Sequence, residues 1–249
     1  MTIDLHDRVG VKRLIQEAAV VAIGMGLGRD KAAEMLFVDY IRAAMLYKKP
    51  IVIDADGLYH LATLHTVKDS LISQLKEYAN EYEVCLTPHS GEAAKLLHTN
   101  IEAVESDRLA AISQCAQQYG GNWVLKGAGS LVLEQSMAKS QLYVCGVGNA
   151  GMATAGMGDI LSGIIAGLFA QQDLMNDQRS LSQAVLIHGL AGDSLVGTTL
   201  TEYMSSESPV NYQFPYTKPE NTHFDIGQRG LQAQDMPIAI RHVMQSITI

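Results

Sequence analysis

The chain has 249 residues, 47% of them hydrophobic and 18% charged, enough to bury one α/β core with helices on both faces of a sheet. A formal charge of −8 without a run of Lys or Arg offers no counterion-releasing surface, which argues against nucleic acid and anionic membrane as partners. Cys85, Cys115 and Cys145 form no CxxC pair, so neither a disulfide framework nor a zinc site is indicated, and a reducing cytoplasm fits. The opening MTIDLHDRVGVKR mixes charges of both signs before any apolar run, unlike an export signal. The most apolar stretch, ILSGIIAGLFA at 160–170, is too short to cross a bilayer and reads as a buried helix.

In chain order, AVVAI at 19–23 runs into GMGLG at 24–28, the pattern of a buried parallel strand entering a glycine-rich turn. Helical spacing follows over Lys31–Leu46, and IVIDAD after Pro50 reads as a second buried strand ending in Asp54 and Asp56. The alternation continues with a helix at about 66–80, a strand at 84–87 and helices at about 91–97 and 105–119. It predicts βαβ units and a mainly parallel sheet with helices on both faces. WVLKG at 123–127, SLVLE at 130–134 and QLYVCG at 141–146 read as strands. The segment GVGNAGMATAGMGD at 146–159 then leads into the apolar helix and a further helix at about 180–196. Over 198–229 the pattern dissolves into Ser, Pro, Thr, Asn and Tyr, which reads as a loop insertion within a single domain spanning 1–249. A short helical pattern, DMPIAIRHVMQSI, closes the chain.

Ligands of an open parallel sheet bind at the carboxyl ends of its strands. GMGLG, DADGLY (54–59), TPHSGE (87–92) and the 146–159 segment each follow a strand directly, which predicts one convergent site. In the last of these, the N–H groups of Ala155, Gly156, Met157 and Gly158 lie where a helix begins and can form an anion hole. Asp159 beside them makes chemical sense as the base that takes a proton from a substrate hydroxyl while the hole neutralises a transferring phosphoryl group. The plainer alternative is that the glycines mark tight turns and Asp159 caps a helix.

Lys126 offers a compact charge toward phosphate, or is an exposed strand-end lysine. His89 is a donor to an amide or phosphate, or structural. Glu92 holds magnesium through water or, as its position suggests, caps the helix that starts there. Asp54 and Asp56 point the same way only if the strand has already turned between them. Gly163 and Gly167 read as points of close helix–sheet packing, and His188 as a core histidine.

GNAGMATAGMGDILSGIIAGLFAQ at 148–171 resembles the most diagnostic stretch of the NAD(P)H-hydrate dehydratases, within the ribokinase-like superfamily. TPHSGEAAKLL, VLKGAGSLV, IVIDADGLYHL, IGMGLGRD, AVLIHGLAGD and GLQAQD resemble the same family in the same order. The resemblance implies a ribokinase-like fold. It also implies a reaction in which the C6 hydroxyl of a hydrated nicotinamide dinucleotide is phosphorylated and phosphate is then lost, giving back NADH or NADPH. By this matching Asp159 is the base and contacts the substrate, as do Gly26 and His89. Lys126, Gly127, Ala128, Gly129 and Ser130 bind the nucleotide, and Gly158 closes over its phosphates. ADP is the implied donor, magnesium the implied ion, and a homo-oligomer the implied assembly.

The resemblance also implies strand and helix units ahead of the GMGLG turn, so that part of the sheet and one wall of the pocket are expected to be missing. Met25, Tyr59 and Ser90 depart from the family's usual residues, and Ala155 replaces a usual glycine. At a position of positive φ that methyl would cost about 1 kcal/mol. Two other readings stand beside the dehydratase: a small-molecule kinase of the same superfamily, and an ADP-binding homologue without turnover.

Overall fold

The computed structural model describes residues 2–135, 139–171, 181–197 and 228–247. Strands β1 (Val21–Ile23), β2 (Ile51–Ile53), β3 (Val84–Leu86) and β4 (Asn122–Leu125) lie side by side and parallel. Strands β5 (Ser130–Gln135) and β6 (Ser140–Cys145) then add antiparallel, giving a six-stranded mixed sheet in the order β1-β2-β3-β4-β5-β6. β2 and β3 are buried at every residue, as aliphatic strands covered on both faces must be.

Alternate side chains of one strand enter different layers. Ile51 and Ile53 pack into one cluster with helices α1 (Arg8–Glu17), α2 (Lys31–Leu46), α3 (Asp56–Thr66), α4 (Ser70–Tyr78), α5 (Ser90–Leu96), α6 (Ile101–Ser106) and α7 (Arg108–Tyr119). Val52 enters the opposite cluster, with α8 (Met157–Phe169), α9 (Leu181–Leu195) and α10 (Met236–Ile247). All six strands and the Lys31–Leu46 helix agree with the sequence reading.

Two helices read in the sequence are each preceded by another that was not. The one placed at about 66–80 is α4, and α3 stands ahead of it across a turn where Lys68 has φ 54°. α3 escapes a sequence reading because it starts straight off β2 with Ala55 as its N-cap, which makes no side-chain cap bond. The helix placed at about 105–119 is α7, and α6 precedes it up to Asp107, whose extended-side φ of −148° ends one while its carboxylate caps the next.

The packing role expected for Gly163 and Gly167 is not borne out: among the described residues a Cβ at either would meet nothing within 4 Å. His188 lies on α9, half-buried. Of the segment expected as an insertion, residues 198–227 lie outside those described.

Candidate active site

The glycine turn after β1 is bolted to the start of α3. A Cβ on Gly24 would lie 1.9 Å from the Asp54 carbonyl oxygen, so only glycine permits the two strand ends to approach this closely. The Gly28 N–H donates to Asp56 Oδ2 at 3.0 Å, Arg29 Nε donates to Asp56 Oδ1 at 2.6 Å, and buried His60 Nε2 donates to the Gly28 carbonyl at 2.8 Å. Burial works to raise the Asp56 carboxyl, but the bonds from Arg29 and Gly28 outweigh it and hold the group below the usual carboxylate range. Gly26 stands exposed at the tip of the turn.

Between the two carboxylates the strand has turned. Ala55 sits at φ 50°, ψ −119°, a conformation that costs an L-residue energy. It sends Asp56 toward the glycine turn and Asp54 inward. Asp54 is 1% exposed and fully engaged: Oδ1 accepts from Lys126 Nζ and from the Ala55 N–H, each at 2.8 Å, and Oδ2 accepts from Ser162 Oγ at 2.8 Å.

Lys126 Nζ also lies 3.7 Å from Glu92 Oε2, so one ammonium links β2, β4 and α5. Glu92 Oε2 accepts from the His89 N–H at 2.8 Å, while His89 Nδ1 accepts from the N–H groups of Gly91 and Glu92 at 3.0 and 3.3 Å. The pair forms a capping box on α5. Glu92 is therefore a cap, as its position suggested, and Nδ1 of His89 carries no proton. A backbone bridge joins His89 to Lys126.

The turn from β4 to β5 carries Gly127 at φ 153° and Gly129 at φ 66°, stitched by Ser130 Oγ, which donates to the Gly127 carbonyl at 3.1 Å. Among the described residues, the N–H groups of Ala128 and Gly129 have no acceptor.

The N-terminus of α8 faces this turn. Its N-cap, Gly156, has φ 87° and supplies no side chain. The Met157 N–H turns back to the Thr154 carbonyl at 3.4 Å, while those of Gly158 and Asp159 have no acceptor among the described residues. Of the four N–H groups expected in the anion hole, the one on Met157 is thus engaged. The condition for strain at Ala155 is not met, because the left-handed residue is Gly156 and Ala155 is not among those with positive φ. A Cβ on Gly158 would lie 3.3 Å from Lys126 Nζ and 3.6 Å from Asp54 Oδ2, so its bareness keeps open a space between an uncapped helix end and an ammonium. Asp159 follows, exposed, with no hydrogen bond or ion pair among the described residues.

Three residues here went unread in the sequence. Ser162 holds Asp54. Asp193 on α9, 2% exposed, accepts from the Gly148 N–H at 2.7 Å and Asn149 Nδ2 at 3.0 Å. Arg108 bonds to the carbonyls of the β4–β5 turn. Each acts from a helix distant in sequence, and no local pattern marks it. Among the described residues no group of three or more His, Cys, Asp or Glu is placed to hold a metal ion.

A family model described as NAD(P)H-hydrate dehydratase matches residues 4–210. The chain belongs to the NAD(P)H-hydrate dehydratase family. It is 40% identical over 183 residues to a bifunctional NAD(P)H-hydrate repair enzyme of Coxiella burnetii, covering 74% of this chain and 33% of that one. With the corresponding enzyme of Escherichia coli it shares 36% identity over 181 residues, 73% of this chain and 31% of the relative. The chain thus spans about a third of the length of these curated relatives.

Among solved structures, a ribokinase-like superfamily protein from Enterococcus faecalis superposes with a TM-score of 0.60 at 26% identity, over 80% of this chain and 63% of that one. The ADP/ATP-dependent NAD(P)H-hydrate dehydratase of Bacillus subtilis gives a TM-score of 0.58 over 94% of this chain and 70% of its own, and at 18% identity this likeness shows the fold alone. The fold is ribokinase-like, as the family's motifs implied.

Proposed function

We propose that this chain is an ADP-dependent dehydratase of hydrated NADH and NADPH, a nicotinamide-nucleotide repair enzyme. The observation that carries the reading is the uncapped end of α8, with bare Gly158 set against the Lys126 ammonium and one residue on the carboxylate of Asp159, free among the described residues. Two N–H groups unpartnered among the described residues and a lysine make a receptor for a phosphoryl group in flight, and a carboxylate beside them is placed to accept a proton.

In this mechanism Asp159 takes the proton of the C6 hydroxyl as its oxygen attacks the terminal phosphorus of ADP, and the bond to AMP breaks. The C6–O bond then breaks, phosphate leaves with that oxygen, and a proton departs from C5 to restore the reduced nicotinamide. Ala128 and Gly129 offer N–H groups to the nucleotide beside Lys126, Gly127 and Ser130. Gly26 and His89 line the side taken by the hydrated dinucleotide.

Among the described residues, side chains do not make a magnesium site. Both oxygens of Asp54 are engaged and Glu92 caps a helix, so magnesium is proposed only as a companion of the nucleotide phosphates. The chain is proposed to work as a single domain, in the cytoplasm, with its three thiols free. Assembly into a homo-oligomer is supported by Leu142, Tyr143 and Val144, exposed on the outer strand β6.

The test is recovery of reduced-nicotinamide absorbance from hydrated NADH with ADP and magnesium, comparing the unaltered chain with Asp159→Asn. Turnover by the former, reduced on the order of a hundredfold or more in the latter, is expected. No turnover by a folded chain that binds ADP overturns the reading in favour of a non-catalytic homologue.

A further inference from the structure

We infer that Arg108 is a positioning residue for the nucleotide, holding the Lys126–Gly129 turn from behind so that its N–H groups are presented to a phosphate or ribose oxygen. The inference rests on the proposed function only in taking that turn as the nucleotide's seat.

A helix that precedes a parallel strand runs antiparallel to it, so the N-terminus of α7 lies at the carboxyl end of β4, beside the turn. Arg108 is the first residue of α7. A cation there opposes the helix dipole, and departures from local preference of this kind mark places where another demand wins. The demand is visible in its bonds. Nη1 donates to the Ala128 carbonyl at 2.9 Å, and Nη2 donates to the carbonyls of Leu125 at 3.0 Å and Lys126 at 3.4 Å.

Those three carbonyls are the partial negative charges of the turn, and the guanidinium gathers them on one side. The N–H groups of Ala128 and Gly129 are left without acceptors among the described residues. The contact is close: a Cβ on Gly127 would lie 2.9 Å from both Nη atoms, so glycine is needed for the guanidinium to reach. Arg108 has no carboxylate partner among the described residues, and its Nε is buried without a bond. Its charge is spent on the turn alone, and it adds an uncancelled positive charge beneath the seat of an anionic ligand. Lysine cannot replace the planar fork that spans three acceptors.

The experiment measures ADP binding by calorimetry, and amide hydrogen exchange without ligand, on the unaltered chain, Arg108→Ala and Arg108→Lys. Arg108→Ala is expected to weaken ADP on the order of tenfold or more and to speed exchange at Gly127–Ser130 with little change elsewhere. Arg108→Lys falls between, and free guanidinium restores affinity to Arg108→Ala. In turnover the KM for ADP rises while the KM for the hydrated dinucleotide stays.

Unchanged ADP affinity in both variants overturns the proposal. So does exchange that rises uniformly through the fold, which marks Arg108 as a general stabiliser; if Arg108→Ala fails to fold, Arg108→Lys decides by the same two readouts. An unaltered chain that binds ADP without turnover sinks the dehydratase but leaves the Arg108 comparison intact. Turnover with normal ADP affinity in the variants does the reverse.

Discussion

Lys126 Nζ and Asp54 Oδ1 meet at 2.8 Å across 72 residues of sequence, at a carboxylate 1% exposed to solvent. Removing the lysine strands a buried charge. Lys126→Met is expected to cost about 3 kcal/mol, and Asp54→Asn placed on top to restore part of it, because the uncompensated charge has gone. Urea unfolding of the two single variants and the double variant measures the coupling; additive losses would show the pair to be energetically idle.

Gly158→Ala separates stability from function. Alanine favours a helical position over glycine by roughly 0.5–1 kcal/mol, and the nearest obstacle, Lys126 Nζ at 3.3 Å, is the end of a flexible side chain. Stability is expected to hold or rise while the KM for ADP climbs on the order of tenfold. An unchanged KM would place the phosphates elsewhere.

His188 makes stability depend on pH. Burial first, with Lys126 adding and a hydrogen bond to the Met157 backbone opposing, lowers its pKa from 6.5 to about 4. The unfolded chain takes up a proton below pH 6.5 that the folded one refuses until about pH 4. Its stabilising contribution is therefore full above that window and falls as pH drops through it, by about 3 kcal/mol in all. Chemical denaturation at intervals between those limits should show a shallower decline for His188→Gln, and identical slopes would dismiss the assignment.

Ala55, at φ 50°, is expected to tolerate only glycine. Ala55→Gly relieves backbone strain by about the amount it adds in unfolded-state freedom and leaves the melting temperature nearly unchanged. Ala55→Val, branched at Cβ, is expected to lose about 2 kcal/mol or more. Equal melting temperatures for the two variants would show that the turn is not enforced.

The strands were legible because buried parallel strands are apolar runs that need no partner information to be seen, and Ile51–Ile53 and Val84–Leu86 are such runs. The Lys31–Leu46 helix announced itself through its helical spacing, and the structure adds the Asp30 cap. α3 did not, since its start is dictated by the Ala55 turn and not by a capping side chain. The four strand-end segments were readable as one site because topology alone brings such ends together. What holds them there was not: Asp54 meets Ser162 across 108 residues and Asp193 meets Gly148 across 45, contacts that exist only after the layers have packed. Ala155 is the converse case: its cost depended on a positive φ, and that φ falls one residue on, at Gly156.

The two halves of the site differ in how far the chain must travel to make them. The Lys126–Gly129 turn sits inside the β4–β5 hairpin, closed by the pairing of Leu125 with Leu131, a loop cheap in entropy and fast to shut. The α8 end reaches Asp54 only after more than a hundred intervening residues have been arranged, the kind of distant contact that slows folding. Refolding should therefore build the proposed nucleotide seat early and deliver Asp159 late. A chain caught between those events holds a formed cradle without the carboxylate proposed as its base.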